Sequence, residues 1–82
     1  MAYSIDIRKA GESTSTVEYF FEGGGFDIKH GSGLLSIDKI SGEVDVLEHH
    51  GEDWERLYDK VMMKLAKYWQ SGEFPDKTAW QA

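Results

Sequence analysis

At 82 residues, the chain has room for one domain with a small core. Hydrophobic residues make up 40% and charged residues 29%, too apolar a mixture for a disordered chain, and the lack of cysteine excludes disulfide scaffolds, thiolate zinc sites and cysteine nucleophiles. The net charge is −6, from 9 Lys and Arg against 15 Asp and Glu, and most of it sits in the first fifty residues, where only Arg8, Lys9, Lys29 and Lys39 are basic. Without a lysine and arginine cluster to neutralise phosphates, neither nucleic acid nor an anionic membrane is an expected partner; a basic protein is.

Tyr3, Ile5 and Ile7 alternate with Ser4, Asp6 and Arg8, the pattern of a half-buried strand. The start lacks the basic segment and apolar stretch of a signal peptide, and no run approaches the roughly 18–20 apolar residues of a membrane helix, so a cytoplasmic location is expected. Lys9 to Ser13 reads as a turn and Thr14 to Glu22 as a second strand, with Val17, Tyr19 and Phe21 on one face. Gly23-Gly24-Gly25 is expected to break it, because three glycines lose much backbone entropy on ordering. Phe26 to His30 reads as a short strand with Phe26 and Ile28 inward. Gly31-Ser32-Gly33 fits either a hairpin turn or a bulge.

Leu34 to Asp38 and Glu43 to Leu47 form the clearest hairpin. Asp38 is placed to cap the turn, and Gly42 to take the positive φ it requires. After His49-His50-Gly51 the apolar spacing changes. Trp54, Leu57, Tyr58, Val61, Leu65, Tyr68 and Trp69 make one helical stripe, predicting a helix from Glu52 to Ser71 that Gly72 stops. Phe74 and Trp80 make residues 73–82 too aromatic for a free end, so the tail is expected to fold back onto the domain or onto a second chain. The predicted whole is a single α+β domain over residues 1–82: an antiparallel meander of four or five strands (1–48), one long helix packed on one sheet face (52–71), and an ordered aromatic tail.

Chemistry-bearing groupings are sparse. The glycine clusters lie between strands, whereas a phosphate loop joins a strand to a helix N-terminus. Glu48, His49, His50, Glu52 and Asp53 are the densest metal-capable set, but neighbouring strand residues face opposite ways, so no stoichiometric metal site is expected at His49 or His50. No catalytic residues and no cofactor are assigned; a small metal-dependent accessory enzyme using Glu48, His50 and Asp53 is the third-ranked reading.

Strand alternation also fixes the face turned away from the helix. It should carry Asp6, Glu18, Glu22, Asp27, Asp38, Glu43 and Asp45 against Arg8 and Lys29, with three large apolar residues, Phe20, Leu34 and Leu47, among them. Apolar residues inside a polar rim are how a protein-binding surface is built, so Phe20, Leu34 and Leu47, rimmed by Asp6, Glu18, Asp38, Glu43 and Asp45, form the candidate patch. In bulk character the acidic, cysteine-free chain resembles immunity proteins and phage-encoded inhibitors. The acidic charge and this face together point to a small non-enzymatic protein-binding module with a basic partner, of inhibitor or immunity type; the alternative is a homo-oligomer joined through the sheet face or the tail.

Overall fold

The computed structural model describes residues 3–81. Its strands are β1 (Tyr3–Glu12), β2 (Thr16–Gly25), β3 (Gly31–Asp38) and β4 (Val44–Gly51), followed by helix α1 (Trp54–Ser71) and strand β5 (Lys77–Gln81). All five strands form one antiparallel sheet in the order β4-β3-β2-β1-β5, so β4 and β5 are its edges. The helix packs on one face. Beneath it lie Ile5 and Ile7, then Val17, Tyr19 and Phe21, then Leu35 and Ile37, and from above Leu57, Val61 and Leu65 close the core.

The chain before the helix supplies four strands and the tail supplies the fifth. The expected tail runs to Ala82, which with Met1 and Ala2 lies outside the described residues. Residues 77–81 pair with β1, Trp80 opposite Ile5 and Thr78 opposite Ile7. The Tyr19 hydroxyl donates to the Pro75 carbonyl at 2.6 Å, and the Lys9 amide donates to the Asp76 carbonyl at 2.8 Å. Burial of Tyr19 pushes its phenol up to about 12, so the hydroxyl stays a donor through ordinary pH.

Several boundaries differ from the sequence reading. The stretch from Lys9 is no turn: β1 continues to Glu12 through an irregularity between Lys9 and Gly11, and the reversal comes at Ser13, whose Oγ accepts the amides of Ser15 and Thr16. Glu12 there bridges Lys39 and Lys9, each at 2.6 Å. The triglycine does not break β2 but belongs to it, with Gly23 opposite Ile5 and Gly25 opposite Tyr3. A Cβ at Gly23 would stand 2.5 Å from the Ser4 carbonyl, so the close approach of two backbones explains the residue better than a turn does.

Phe26 to His30 is a loop rather than a strand. Phe26 is 94% exposed, while Ile28 is buried and the loop is tied down by the Lys29 amide, which donates to the Asp53 carboxylate at 2.6 Å. Gly31-Ser32-Gly33 is neither turn nor bulge; it is the buried start of β3. A Cβ at Gly31 would meet the Trp54 backbone at 3.0 Å, and one at Gly33 would meet the Phe21 ring at 2.6 Å. The Asp38 turn forms as expected. Its Oδ1 accepts the Ile40 and Ser41 amides at 2.8 and 3.1 Å, and Gly42 has φ 78°. The helix starts two residues later than predicted, after Asp53, and ends at Gly72 in the left-handed region.

Three outcomes follow from this packing. Leu65→Ala, at a fully enclosed site, should lose about 2–5 kcal/mol in chemical denaturation. Gly23→Ala should destabilise markedly, whereas Gly11→Ala, whose Cβ would meet only the Glu18 carboxylate at 3.6 Å, should stay within about 0.5 kcal/mol of wild type. Hydrogen bonds from Lys39 and Lys9 hold the Glu12 carboxyl down to about 2, below its ordinary 4.5. A depressed folded value stabilises above the unfolded one and is lost as pH falls through the folded one, so the melting-temperature gap between wild type and Glu12→Gln should shrink from pH 4.5 towards 2.

Candidate functional site

The outer face of the sheet is organised in rungs that cross the strands. One rung runs through all five: Lys77, Arg8, Phe20, Leu34 and Glu48 stand opposite one another in turn. Phe20 and Leu34, both half-buried, are therefore direct cross-strand neighbours at its centre. The Arg8 guanidinium lies over the Phe20 ring, 5.3 Å from its centroid, which places one cation beside the apolar pair. The next rung is Ala79, Asp6, Glu22, Ser32 and His50, and a shorter one on the other side is Glu18, Ser36 and Asp45. Carboxylates thus stand on three sides of the pair. Between the first two rungs lies a shallow cleft of about 320 Å³ with Asp6, Glu22, Arg8 and Lys77 around it.

Two of the three expected apolar residues come together, and the third does not join them in register. Leu34 opposes Glu48 while Leu35 opposes Val46, so Leu47 is the extra residue of a bulge in β4, half exposed and without a cross-strand partner. Of the expected rim, Asp6, Glu18 and Asp45 sit on the outer rungs. Asp38 is engaged elsewhere: the Ser41 and Ile40 amides occupy its carboxylate and hold its pKa below the ordinary value, so it serves the turn. Glu43 is exposed at the exit of that turn, and Asp27 is exposed in the 26–30 loop, off the sheet. Glu22 is paired with His30 at 2.9 Å.

Trp80 and Phe74 both pack on the helix side of the sheet, so neither covers Phe20 or Leu34. The buried Trp80 indole N–H has no hydrogen-bond partner among the described residues, and the Lys60 ammonium lies 5.9 Å from the ring. The metal-capable set is dispersed. His49 opposes Gly33 and stacks on Trp54 at 4.1 Å, His50 opposes Ser32 on the other face, and Asp53 binds the Lys29 amide. Among the described residues, no group of three or more histidines and carboxylates is close enough to hold an ion.

Sequence reasoning missed Glu48 and Lys77 as members of the central rung. The bulge moved Glu48 onto the outer face, and Lys77 arrives there only because the tail is a strand. No family model, curated protein or solved structure matches the chain. Among the described residues, no helix is long and apolar enough to cross a membrane.

Two adjacent aromatics test the assignment of faces. Phe21→Ala should cost about 3–5 kcal/mol, as for an enclosed core ring, and Phe20→Ala clearly less, both read from denaturation midpoints. Equal losses would place Phe20 in a covered core.

Proposed function

We propose that the chain is a small, non-enzymatic protein-binding module that takes a basic surface of a partner protein on its outer sheet face, in the manner of an inhibitor or immunity-type protein. The observation that carries this reading is the Phe20–Leu34 pair, apolar, left uncovered by the protein's own tail and set among Asp6, Glu18, Asp45 and Glu48. A pair of large apolar groups excludes water at the centre of a contact, while carboxylates around it steer a cationic partner and penalise an anionic one. Arg8 and Lys77 at one end of the rung give the surface a direction, so a partner with an acidic group at the matching end is oriented as well as attracted.

The same rung favours a homodimer as the second reading. Two outer faces related by a twofold axis along the strands would set Lys77 of one copy over Glu48 of the other, with Phe20 against Phe20 at the centre. That arrangement also brings Glu18 and Glu22 against their own copies, a repulsion a basic heterologous partner does not meet.

Light scattering separates the two readings: the module is a single chain in solution at micromolar concentration, the homodimer is two. For the module, a partner captured by the immobilised chain should elute as salt rises and should be lost with a folded Phe20→Ser, Leu34→Ser double variant. Capture unchanged by salt and by the double variant would remove the outer face from the function.

A further inference from the structure

The edge of the sheet at β4 is built differently from the edge at β5. Helix α1 covers the central strands, and its flank toward β4 carries half-buried Trp54, Tyr58, Met62 and Trp69, lying above half-buried Val44 and Val46. Between them, at the end near Gly42, is an apolar cleft of about 60 Å³ bounded by Ile37, Val44, Met62, Leu65, Ala66 and Trp69. Its end wall is fixed, because the Trp69 indole donates to the Lys39 carbonyl at 3.0 Å, and a Cβ at Gly42 would stand 2.8 Å from the same ring. The volume is far below the roughly 300–1,000 Å³ of small-molecule pockets and suits a single side chain. Beside it runs a strand with one side unpaired, whose outward amides and carbonyls are free to bond another chain.

Charge selects what that chain can be. From Ile40 to Glu55 the sequence has no lysine or arginine, and Glu43, Asp45 and Glu48 enter no ion pair among the described residues. A second copy pairing β4 with β4 would set these carboxylates against one another, and like charges across a strand pair are destabilising. The β5 edge offers the opposite setting, with Lys77 on it and Lys60 above Trp80.

We propose that β4 and the cleft beside it receive an extended, lysine- or arginine-rich segment of a partner protein as an added strand. Its outward cations meet Asp45 and Glu43, and one alternate apolar side chain enters the cleft. The bulge at Leu47 interrupts straight pairing, so the accepting stretch is Val44–Val46, next to the cleft. Backbone hydrogen bonds to the edge, with alternate side chains in pockets, are how strand addition combines affinity with selectivity. This site does not use Phe20 or Leu34 and shares only the rim carboxylate Asp45 with the outer-face reading.

The test is titration of the isotopically labelled full chain with a synthetic peptide of alternating lysine and valine, followed by amide and indole NMR. Expected are saturable shifts at Val44–Val46 and at the Trp69 indole, and slowed amide exchange along β4. The glutamate–valine counterpart should bind roughly tenfold or more weakly at low salt. Asp45→Lys, an exposed change that leaves the core alone, should weaken the lysine peptide, and backbone N-methylation of the peptide should abolish binding. Phe20→Ser, which disables the outer-face reading, should leave binding unchanged. No saturable binding, shifts confined to the Phe20 and Leu34 rung, or full binding by the N-methylated peptide would each overturn the proposal.

Discussion

One helix has to cover a sheet that is wider than itself. Five strands spaced about 4.8 Å apart put roughly 19 Å between the outer two, and a helix with its side chains is only about 10–12 Å across. Leu57, Val61 and Leu65 therefore seal only the central strands, over Ile5, Ile7, Tyr19, Phe21, Leu35 and Ile37. The margins must be closed by residues long enough to reach sideways, which is why the flanks of α1 are aromatic. Trp54, Tyr58 and Trp69 extend toward β4, and Tyr68 reaches β5, its hydroxyl 3.0 Å from that of Thr78. These side chains remain half-buried because nothing stands beyond them.

The same constraint accounts for the glycines and for the route of the tail. With a single helix as its main cover, the core gains from backbones brought close together. Gly23, Gly31 and Gly33 allow this at three crossings where a Cβ would collide with the Ser4 carbonyl, the Trp54 backbone or the Phe21 ring. The entropy lost in ordering them is offset by the contacts their absent side chains permit. The tail in turn covers the β1 side of the core with Trp80 and Phe74, and it is latched by Tyr19 through the Pro75 carbonyl. Because all of this material is drawn to the helix side, the opposite face keeps only what its own strands provide. An apolar pair among carboxylates is left facing outward, and the function proposed for the molecule rests on that remainder.

The two edges are held open in different ways. At β5, a short strand with Lys77 and neighbouring Lys60 is protected against pairing with cations. At β4, the bulge protects one half of the strand, while the half next to Gly42 stays straight above an apolar cleft. Charge therefore differs across the width of the sheet, and a partner approaching edge-on meets carboxylates on one side and ammonium groups on the other.

Much of this architecture was legible in the residues. Period-two alternation at Tyr3–Arg8 and Val17–Phe21 sorted inner from outer positions. The Asp38 and Gly42 turn and the Gly72 stop were set by local φ and hydrogen-bond requirements, and the helical stripe from Trp54 to Trp69 by spacing alone. These are short-range matters, decided by a residue and its nearest neighbours in the chain. What local sequence could not decide depended on a neighbour distant along the chain. The triglycine is strand and not break because Ser4 and Ile5 lie against it; Glu48 faces outward because Leu47 bulges opposite β3; and Lys77 completes the central rung because β1 had an edge to offer. The outward apolar residues Phe20 and Leu34 could be named from alternation, but that they are cross-strand neighbours, that Leu47 falls out of register, and that the tail packs on the other face were settled only when strands from both ends of the chain were paired in one sheet.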